Sequence, residues 1–375
     1  MKNFLSLVLS FFIIMASVPV VAVIYKDEIL AKTAKVNEAA LQEAAGESAS
    51  EKSEASEKSE AAEKSEKAET SEKSEPTAKA APAAAGAQSA ATAKPDKVKV
   101  LLHENKKVVS VKTEFYIISV LAKEIDIASP AEALKAQAVC IYTFLLRARA
   151  QSESREYDIT DDPAHHQSFL TEAALKKFWG EQYKANYQKL AGIVQAVDGI
   201  YLDYAGEPAL AAYHSSNAGL TESAESYWGE AYPYLQPVES IGDALCADYK
   251  QAVAFTPAQL KKALATLKDK KFRFAESPSD WIGSADYTPS HTVKSLTVGG
   301  TALSGRELRQ ACKLKSSFFT VTYKGGKFIF TVSGYGHGVG MSQEGAKYMA
   351  ALGFTYREIL LHYYNGVAIK GANAV

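Results

Sequence analysis

Glu124 is the side chain whose place in the sequence best suits acid–base chemistry. Ile118, Leu121 and Ile125 recur at helical spacing, which puts Glu124 at the carboxyl end of a predicted helix. The negative end of the helix dipole and the apolar neighbours both disfavour an ionised carboxylate, so both raise its pKa. A carboxylic acid that stays protonated near neutral pH can protonate a glycosidic oxygen. The alternative is a solvent-exposed glutamate at a helix end, the commonest environment of this residue type.

A glycine-rich stretch from Gly334 to Gln343 surrounds His337. Alternate glycines allow positive φ angles and let a backbone approach a ligand closely. The stretch has neither the spacing of a dinucleotide-binding loop nor a phosphate-binding lysine, which argues against both kinds of site. We expect His337 to contact a ligand; a histidine buried in the core is the alternative.

A second group of polar side chains directly follows a predicted strand: Tyr213, His214, Ser215 and Ser216. Their hydroxyl and imidazole groups form either the polar rim of a ligand site or a plain transition from strand to loop.

The cysteines and histidines are too scattered for a closed metal site. Cys140, Cys246 and Cys312 lie far apart without a C-x-x-C motif, and H-E-x-x-H and G-x-S-x-G motifs are also absent. His165 and His166 are adjacent in a predicted loop. We therefore predict no metal and no cofactor. Cys140 is expected to be a buried apolar side chain, and a disulfide between Cys246 and Cys312 stays an open alternative.

The composition divides the chain into three segments. The chain has 375 residues with 42 basic and 43 acidic side chains, and this near-neutral balance gives no electrostatic footprint for nucleic acid. Residues 1–25 contain an apolar run long enough to cross a bilayer, which takes about 20 residues. We expect an uncleaved single-pass membrane anchor, with a cleaved signal peptide as the alternative.

The second segment is a charged spacer over residues 26–95. Between residues 42 and 97 no Val, Ile, Leu, Met, Cys or aromatic residue occurs, and Glu recurs at every third position from Glu51 to Glu75. Such a segment cannot bury enough apolar surface to offset the entropy of ordering it, so we predict a disordered spacer.

Residues 96–375 form the predicted globular domain, of mixed α and β (α+β) class. Its helical core is expected to pack on small antiparallel sheets and hairpins. Ser129 is the predicted N-cap of a second helix that runs to about residue 150, and later helices are predicted to begin after Thr256, Ser304 and Thr355. Hairpins are predicted to join residues 200–204 with 209–213, and 318–323 with 327–332.

Several stretches of this domain match one known pattern. They are residues 118–138, 158–161, 213–216, 304–309 with 314–316, and 336–346. Together they closely resemble the stage II sporulation protein D (SpoIID/LytB) family, over nearly all of residues 98–375. An N-terminal anchor ahead of the domain is consistent with that resemblance.

The resemblance implies a lytic transglycosylase that cleaves peptidoglycan glycan strands during engulfment in spore formers. Glu124 maps onto the catalytic acid of the family. It would protonate the oxygen between N-acetylmuramic acid and N-acetylglucosamine, then deprotonate the muramic 6-hydroxyl as this closes a 1,6-anhydro ring. Other residues become candidates for holding the sugar. They are Gln137, Tyr142, Tyr213, His214, Ser215, Ser216, His337, Ser342 and Gln343.

The resemblance also sets expectations about partners and location. A sporulation amidase and other engulfment membrane proteins are the expected partners, with the catalytic domain outside the cytoplasm. An arginine usual in the family after residue 139 is missing, and Tyr142 and Arg147 are the candidates to replace it. The rival interpretation is a non-catalytic peptidoglycan-binding or scaffold protein; a metal-dependent amidase is a third.

Overall fold

A computed structural model describes residues 95–152, 156–162, 165–246 and 249–371. The predicted anchor over 1–25 and the predicted spacer up to residue 94 lie outside these residues, and both stay predictions. Within the described part of the chain, no helix is long and apolar enough to span a membrane.

The described chain begins with a small sheet and two long helices. The elements are β1 (Lys97–Leu101), β2 (Val108–Lys112), α1 (Thr113–Glu124), α2 (Ala131–Gln151) and β3 (Ile159–Thr160). Strand β1 pairs antiparallel with β2 and parallel with β3. Most of α1 and α2 is buried, so these two helices form the centre of the larger hydrophobic core.

The chain then adds two more helices and three short strands to that core. These are α3 (Glu172–Trp179), α4 (Tyr183–Ala196), β4 (Tyr201–Tyr204), β5 (Glu207–Pro208) and β6 (Tyr213–His214). A short helix, α5 (Ala224–Trp228), follows.

A second, smaller core is formed by the middle of the domain. Its elements are β7 (Lys250–Phe255), α6 (Pro257–Leu264), β8 (Ile282–Tyr287), β9 (Val293–Val298), β10 (Thr301–Leu303), α7 (Gly305–Cys312), β11 (Phe319–Lys324) and β12 (Lys327–Ser333). They form two three-stranded antiparallel sheets, with strand orders β10–β9–β8 and β11–β12–β7.

The last elements return to the larger core. They are β13 (Met341–Ser342), α8 (Gln343–Ala351), α9 (Tyr356–Tyr363) and β14 (Ala368–Lys370). Strand β13 pairs parallel with β6, and β14 pairs antiparallel with β4. The smaller core is therefore inserted between two halves of the larger one.

The observed elements fit the predicted α+β class and most of the predicted helix starts. Thr256, Ser304 and Thr355 each cap a helix in a complete capping box. The hairpin of β11 and β12 is also confirmed, with Gly325 and Gly326 in its turn.

Two local predictions are wrong. Ser129 does not cap α2, which begins at Ala131, and its hydroxyl oxygen is buried without a hydrogen-bond partner in the described structure. The Glu132 carboxylate instead accepts a hydrogen bond from the backbone N–H of Tyr356 at 2.8 Å, 224 positions away. The strand predicted over residues 209–213 is also wrong, because β5 ends at Pro208 and Tyr213 pairs with Met341.

Candidate active site

Glu124 lies at the end of α1 in the wall of an open cleft of about 590 Å³. The cleft is also lined by the loop after β3, by residues 210–213, by α5 and by the glycine-rich stretch. Tyr213 and His337, both predicted from the sequence, face Glu124 across this space. The structure thus brings together residues from three distant parts of the chain.

The environment of Glu124 favours its protonated form. The side chain is partly buried rather than exposed, and this burial is the largest cause of a raised pKa. Hydrogen bonds from the backbone and side chain of Ser168 and the charge of Lys123 act in the opposite direction. The net direction is upward, as the sequence predicted, and burial is the main cause.

The loop that carries Ser168 is attached to α1 by a hydrogen-bond chain. Tyr116, which is fully buried, donates from its hydroxyl to Oε1 of Gln167 at 3.1 Å. Nε2 of Gln167 in turn donates to the hydroxyl oxygen of Tyr213 at 3.2 Å. Phe169 stacks on Tyr116 with ring centroids 5.8 Å apart, so the loop is packed as well as hydrogen-bonded.

The glycines around His337 serve a different purpose from the one predicted. Gly336 and Gly340 have φ angles of 119° and 69°. A Cβ atom on Gly336 would lie 2.7 Å from Cβ of His214, and one on Gly340 would lie 2.0 Å from the carbonyl oxygen of Ala212. These glycines let two backbone segments of the protein pack closely, so their close approach is to the protein and not to a ligand.

His337 is held in the cleft wall as a neutral ring. Its Nδ1 accepts a hydrogen bond from the backbone N–H of Val339 at 3.0 Å, and its ring centroid lies 5.1 Å from that of Trp228. Burial, with smaller contributions from His214 and Arg309, lowers the pKa of His337 to about 3. Backbone groups of Val339 and Tyr213 are the hydrogen-bond partners of this ring, so near neutral pH the imidazole offers the cleft a ring surface without positive charge.

His214 and Ser342 lie behind the cleft wall. Burial lowers the pKa of His214 to about 4, and its Nδ1 donates to the carbonyl oxygen of Val339 at 3.1 Å. Ser342 is fully buried, caps α8 and donates to Oδ1 of Asp243 at 2.5 Å. Burial raises the pKa of Asp243 to about 6. Both predicted residues therefore hold the β6–β13 pair together and do not line the cleft.

Gln137, Gln343, Ser215 and Ser216 also lie outside the cleft lining. Nε2 of Gln343 donates to Oε1 of the fully buried Gln137 at 3.4 Å. The carbonyl oxygen of Ser215 accepts from the backbone N–H of Glu344, and Ser216 is buried in a backbone pairing with Tyr335. These contacts join the four residues to other parts of the protein and not to the cleft lining.

Tyr142 is not brought into the cleft. It lines a separate small cavity beside Ile117 and Asp198, because positions 142 and 144 lie on different sides of α2 and only Phe144 faces the cleft. Arg147, the other candidate for the missing arginine, lies with its guanidinium 5.6 Å from the ring of Tyr232, which does line the cleft.

The cleft is also lined by residues that were not predicted from the sequence: Gln167, Ser168, Trp228, Glu230 and Tyr232. Gln167 and Ser168 directly follow His165 and His166, which were considered only as metal ligands. Both histidines also line the cleft, and His165 lies 2.9 Å from a carboxylate oxygen of Asp162. The aromatic and amide side chains among these residues suit sugar binding, but they lie far from Glu124 in the sequence, and only the fold brings them to the cleft.

The described residues contain neither a disulfide nor a metal-type cluster. Cys140, Cys246 and Cys312 carry thiols, so Cys246 and Cys312 do not pair. Cys140 is fully buried, as predicted. No group of three or more His, Cys, Asp or Glu in this part of the chain is arranged to hold a metal ion.

A second cavity, also of about 590 Å³, lies on another side of α1. It is lined mainly by aliphatic and aromatic side chains, including Val109, Phe115 and Tyr187, and by Glu172. It contains none of the predicted site residues, so the cleft beside Glu124 is the better candidate for chemistry.

Comparison with known proteins gives concordant matches. A family model described as SpoIID, Stage II sporulation protein, matches residues 102–204, a range that includes Glu124 and Gln167. Stage II sporulation protein D of Bacillus amyloliquefaciens is 35% identical over 284 residues, which cover 75% of this chain and 80% of the relative. The protein of the same name from Bacillus subtilis (strain 168) is 34% identical over 285 residues, 75% of this chain and 81% of the relative.

A more distant similarity is to a protein with a different name. The amidase enhancer of Bacillus subtilis (strain 168) is 26% identical over 308 residues, which cover 67% of this chain and 39% of that protein.

Proposed function

The chain belongs to the stage II sporulation protein D family, and from that premise we propose that it is a peptidoglycan lytic transglycosylase. The observation that supports this activity best is a partly buried carboxyl group with a raised pKa, Glu124, in the wall of an open cleft. The cleft also carries aromatic rings and hydrogen-bonding side chains, which is what an amphipathic sugar requires.

In the proposed reaction Glu124 acts twice. As the acid, it donates its proton to the oxygen that links N-acetylmuramic acid to N-acetylglucosamine. As the resulting carboxylate, it accepts the proton of the muramic 6-hydroxyl, whose oxygen attacks C1 and forms the 1,6-anhydro ring. The nucleophile belongs to the substrate, so this route requires no second carboxylate to activate water, unlike ordinary glycoside hydrolysis.

Products distinguish this route from hydrolysis. The cleft lining includes one further carboxylate, the exposed Glu230, whose Oε1 accepts from the Tyr232 hydroxyl at 2.8 Å. If Glu230 activated water, the products would carry reducing muramic ends. We expect glycan strands incubated with the protein to yield muramic ends lacking one water, as measured by mass spectrometry.

Other outcomes of that assay would favour other functions. Reducing ends together with loss of activity in Glu230→Gln would make the protein a hydrolase. Binding of strands without any product would favour the non-catalytic peptidoglycan-binding or scaffold protein. Strands with and without stem peptides should both be supplied, so that a substrate requirement is not mistaken for inactivity.

The pH dependence of the reaction should follow the ionisation of Glu124. Because its pKa is raised, the acid form persists to higher pH than for an ordinary glutamate, and kcat/KM should fall as pH rises through that pKa.

Stability should depend on pH in the same direction. Ionising Glu124 costs more in the folded chain than in the unfolded chain. The contribution of Glu124 to the free energy of unfolding is therefore complete below its pKa in the unfolded chain, and it is lost as pH rises through its pKa in the folded chain.

Lys123 provides a matched variant for this pH measurement. Its charge lowers the pKa of Glu124, and the side chain is exposed. Lys123→Gln should therefore move the alkaline limb of the kcat/KM profile to higher pH. If the alkaline limb did not move, or if it lay at the ordinary pKa of a glutamate, another group would control the reaction.

A further inference from the structure

The hydrogen-bond chain beneath the cleft connects a buried tyrosine to one that faces the sugar site. Tyr116 is fully buried, whereas Tyr213 lines the cleft beside Glu124. Gln167 lies between them, with its two polar atoms 3.1 Å and 3.2 Å from the two hydroxyl oxygens.

Burial of Tyr116 determines which groups donate and which accept in this series of hydrogen bonds. In the described structure Gln167 is the hydrogen-bond partner of the Tyr116 hydroxyl. If that hydroxyl accepted instead of donated, its own hydrogen would be buried without an acceptor, at a cost comparable to a lost hydrogen bond. Tyr116 must therefore donate, which places Oε1 of Gln167 toward Tyr116 and Nε2 toward Tyr213.

The same direction determines what Tyr213 can offer. Its hydroxyl oxygen accepts the Nε2 hydrogen of Gln167, so its own hydrogen points away from Gln167. Burial raises the pKa of Tyr213 well above its ordinary value, so the hydroxyl keeps this hydrogen at any working pH. The cleft is the space where a bound molecule can accept it.

We propose that Gln167, oriented by Tyr116, is a positioning residue that makes the Tyr213 hydroxyl a hydrogen-bond donor to an acceptor oxygen of the bound glycan. The proposal deepens the proposed function and rests on it. Ring oxygens and N-acetyl carbonyls of the substrate are acceptors only, so a hydroxyl fixed as donor recognises them better than one free to rotate.

Reversing the hydrogen bond between residue 167 and Tyr213 should weaken glycan binding. In Gln167→Glu the carboxylate accepts from both tyrosines, so Tyr213 must turn its hydrogen away from the cleft. We expect glycan affinity to fall about tenfold, the size of one lost hydrogen bond. Affinity is measured on full-length Glu124→Gln protein, because this background prevents turnover and removes the charge that a new carboxylate would repel.

Tyr213→Phe completes a double-mutant cycle. It removes the donor but keeps the ring, so it should weaken binding as much as Gln167→Glu does. In the Tyr213→Phe background, Gln167→Glu should cause no further loss. Equal losses that add in the double variant would overturn the proposal, because Gln167 would then act independently of Tyr213.

Tyr116→Phe tests the buried end of the chain without adding charge. Gln167 then loses the contact that fixes its amide orientation, so affinity should fall a few-fold when Tyr213 is present and not at all in Tyr213→Phe. Unchanged affinity in Tyr116→Phe would refute the orienting role even if Gln167→Glu did not fold. Absence of glycan binding by the parent would instead overturn the proposed function, and the proposal with it.

Discussion

Replacing Glu124 with glutamine should abolish turnover of glycan strands while leaving strand binding intact. Glutamine preserves the size and most hydrogen bonds of the side chain but cannot donate and recover a proton. Acid–base assistance by one group contributes about 10²–10⁴-fold, and loss of the group that performs both steps should fall at or beyond the upper end. The measurement is the rate of release of 1,6-anhydro ends, alongside strand binding by the same protein.

Glu172→Gln is the matched control for this substitution. Glu172 is an exposed glutamate that lines the second cavity and not the cleft. Glu172→Gln should retain the parent rate, and it should unfold at the temperature of the parent or slightly below, because it loses the ion pair with Lys176. Glu124→Gln should unfold at the temperature of the parent or slightly above, because the cost of desolvating a carboxylate is removed. Activity of Glu124→Gln within a few-fold of the parent would show that the catalytic assignment is wrong.

Gly340→Ala should have the largest effect on stability. The residue has a φ of 69°, where an alanine costs about 1–2 kcal/mol, and its Cβ atom would lie 2.0 Å from the carbonyl oxygen of Ala212. Forcing atoms into a packed site costs about 1–3 kcal/mol more. We expect the free energy of unfolding to fall by about 2–5 kcal/mol, measured by denaturant titration.

A second glycine separates the two causes of that loss. Gly353 has a φ of 87°, but nothing lies within 4 Å of a Cβ atom built on it. Gly353→Ala should therefore cost only the backbone strain. If Gly340→Ala destabilises no more than Gly353→Ala, the two backbone segments are not rigidly packed and the glycines have another role.

Local patterns predicted the features that depend on neighbouring residues. Glu124 could be placed at a helix end because apolar residues recur within one helix, and Ser304 could be recognised as a cap because Glu307 lies three positions later. Both outcomes depend on contacts within a single turn or two of helix. The raised pKa of Glu124 follows from the same local pattern, whereas the hydrogen bonds from Ser168, which act in the opposite direction, come from a distant loop.

Features that depend on distant residues could not be predicted. Ser129 does not cap α2, and the Glu132 carboxylate accepts a hydrogen bond from the backbone of Tyr356, a distant contact that no local pattern indicates. Ser342 was a candidate through the family resemblance, and His214 through its place after a predicted strand, yet their hydrogen-bond partners are Asp243 and Val339. No motif in the sequence marks Gln167, because its hydrogen-bond partners, Tyr116 and Tyr213, lie far from it along the chain.

The order of the strands has a consequence for biosynthesis. The parallel pair β6–β13 and the antiparallel pair β4–β14 each join a strand from the middle of the domain to a strand near its end. Such non-local pairs form late, because a long loop must close before any contact compensates for it. During synthesis the growing chain therefore contains Glu124 well before it contains His337. The cleft is complete only when the final helices and strands have been made. The proposed lytic activity would therefore be absent from every unfinished copy of the protein.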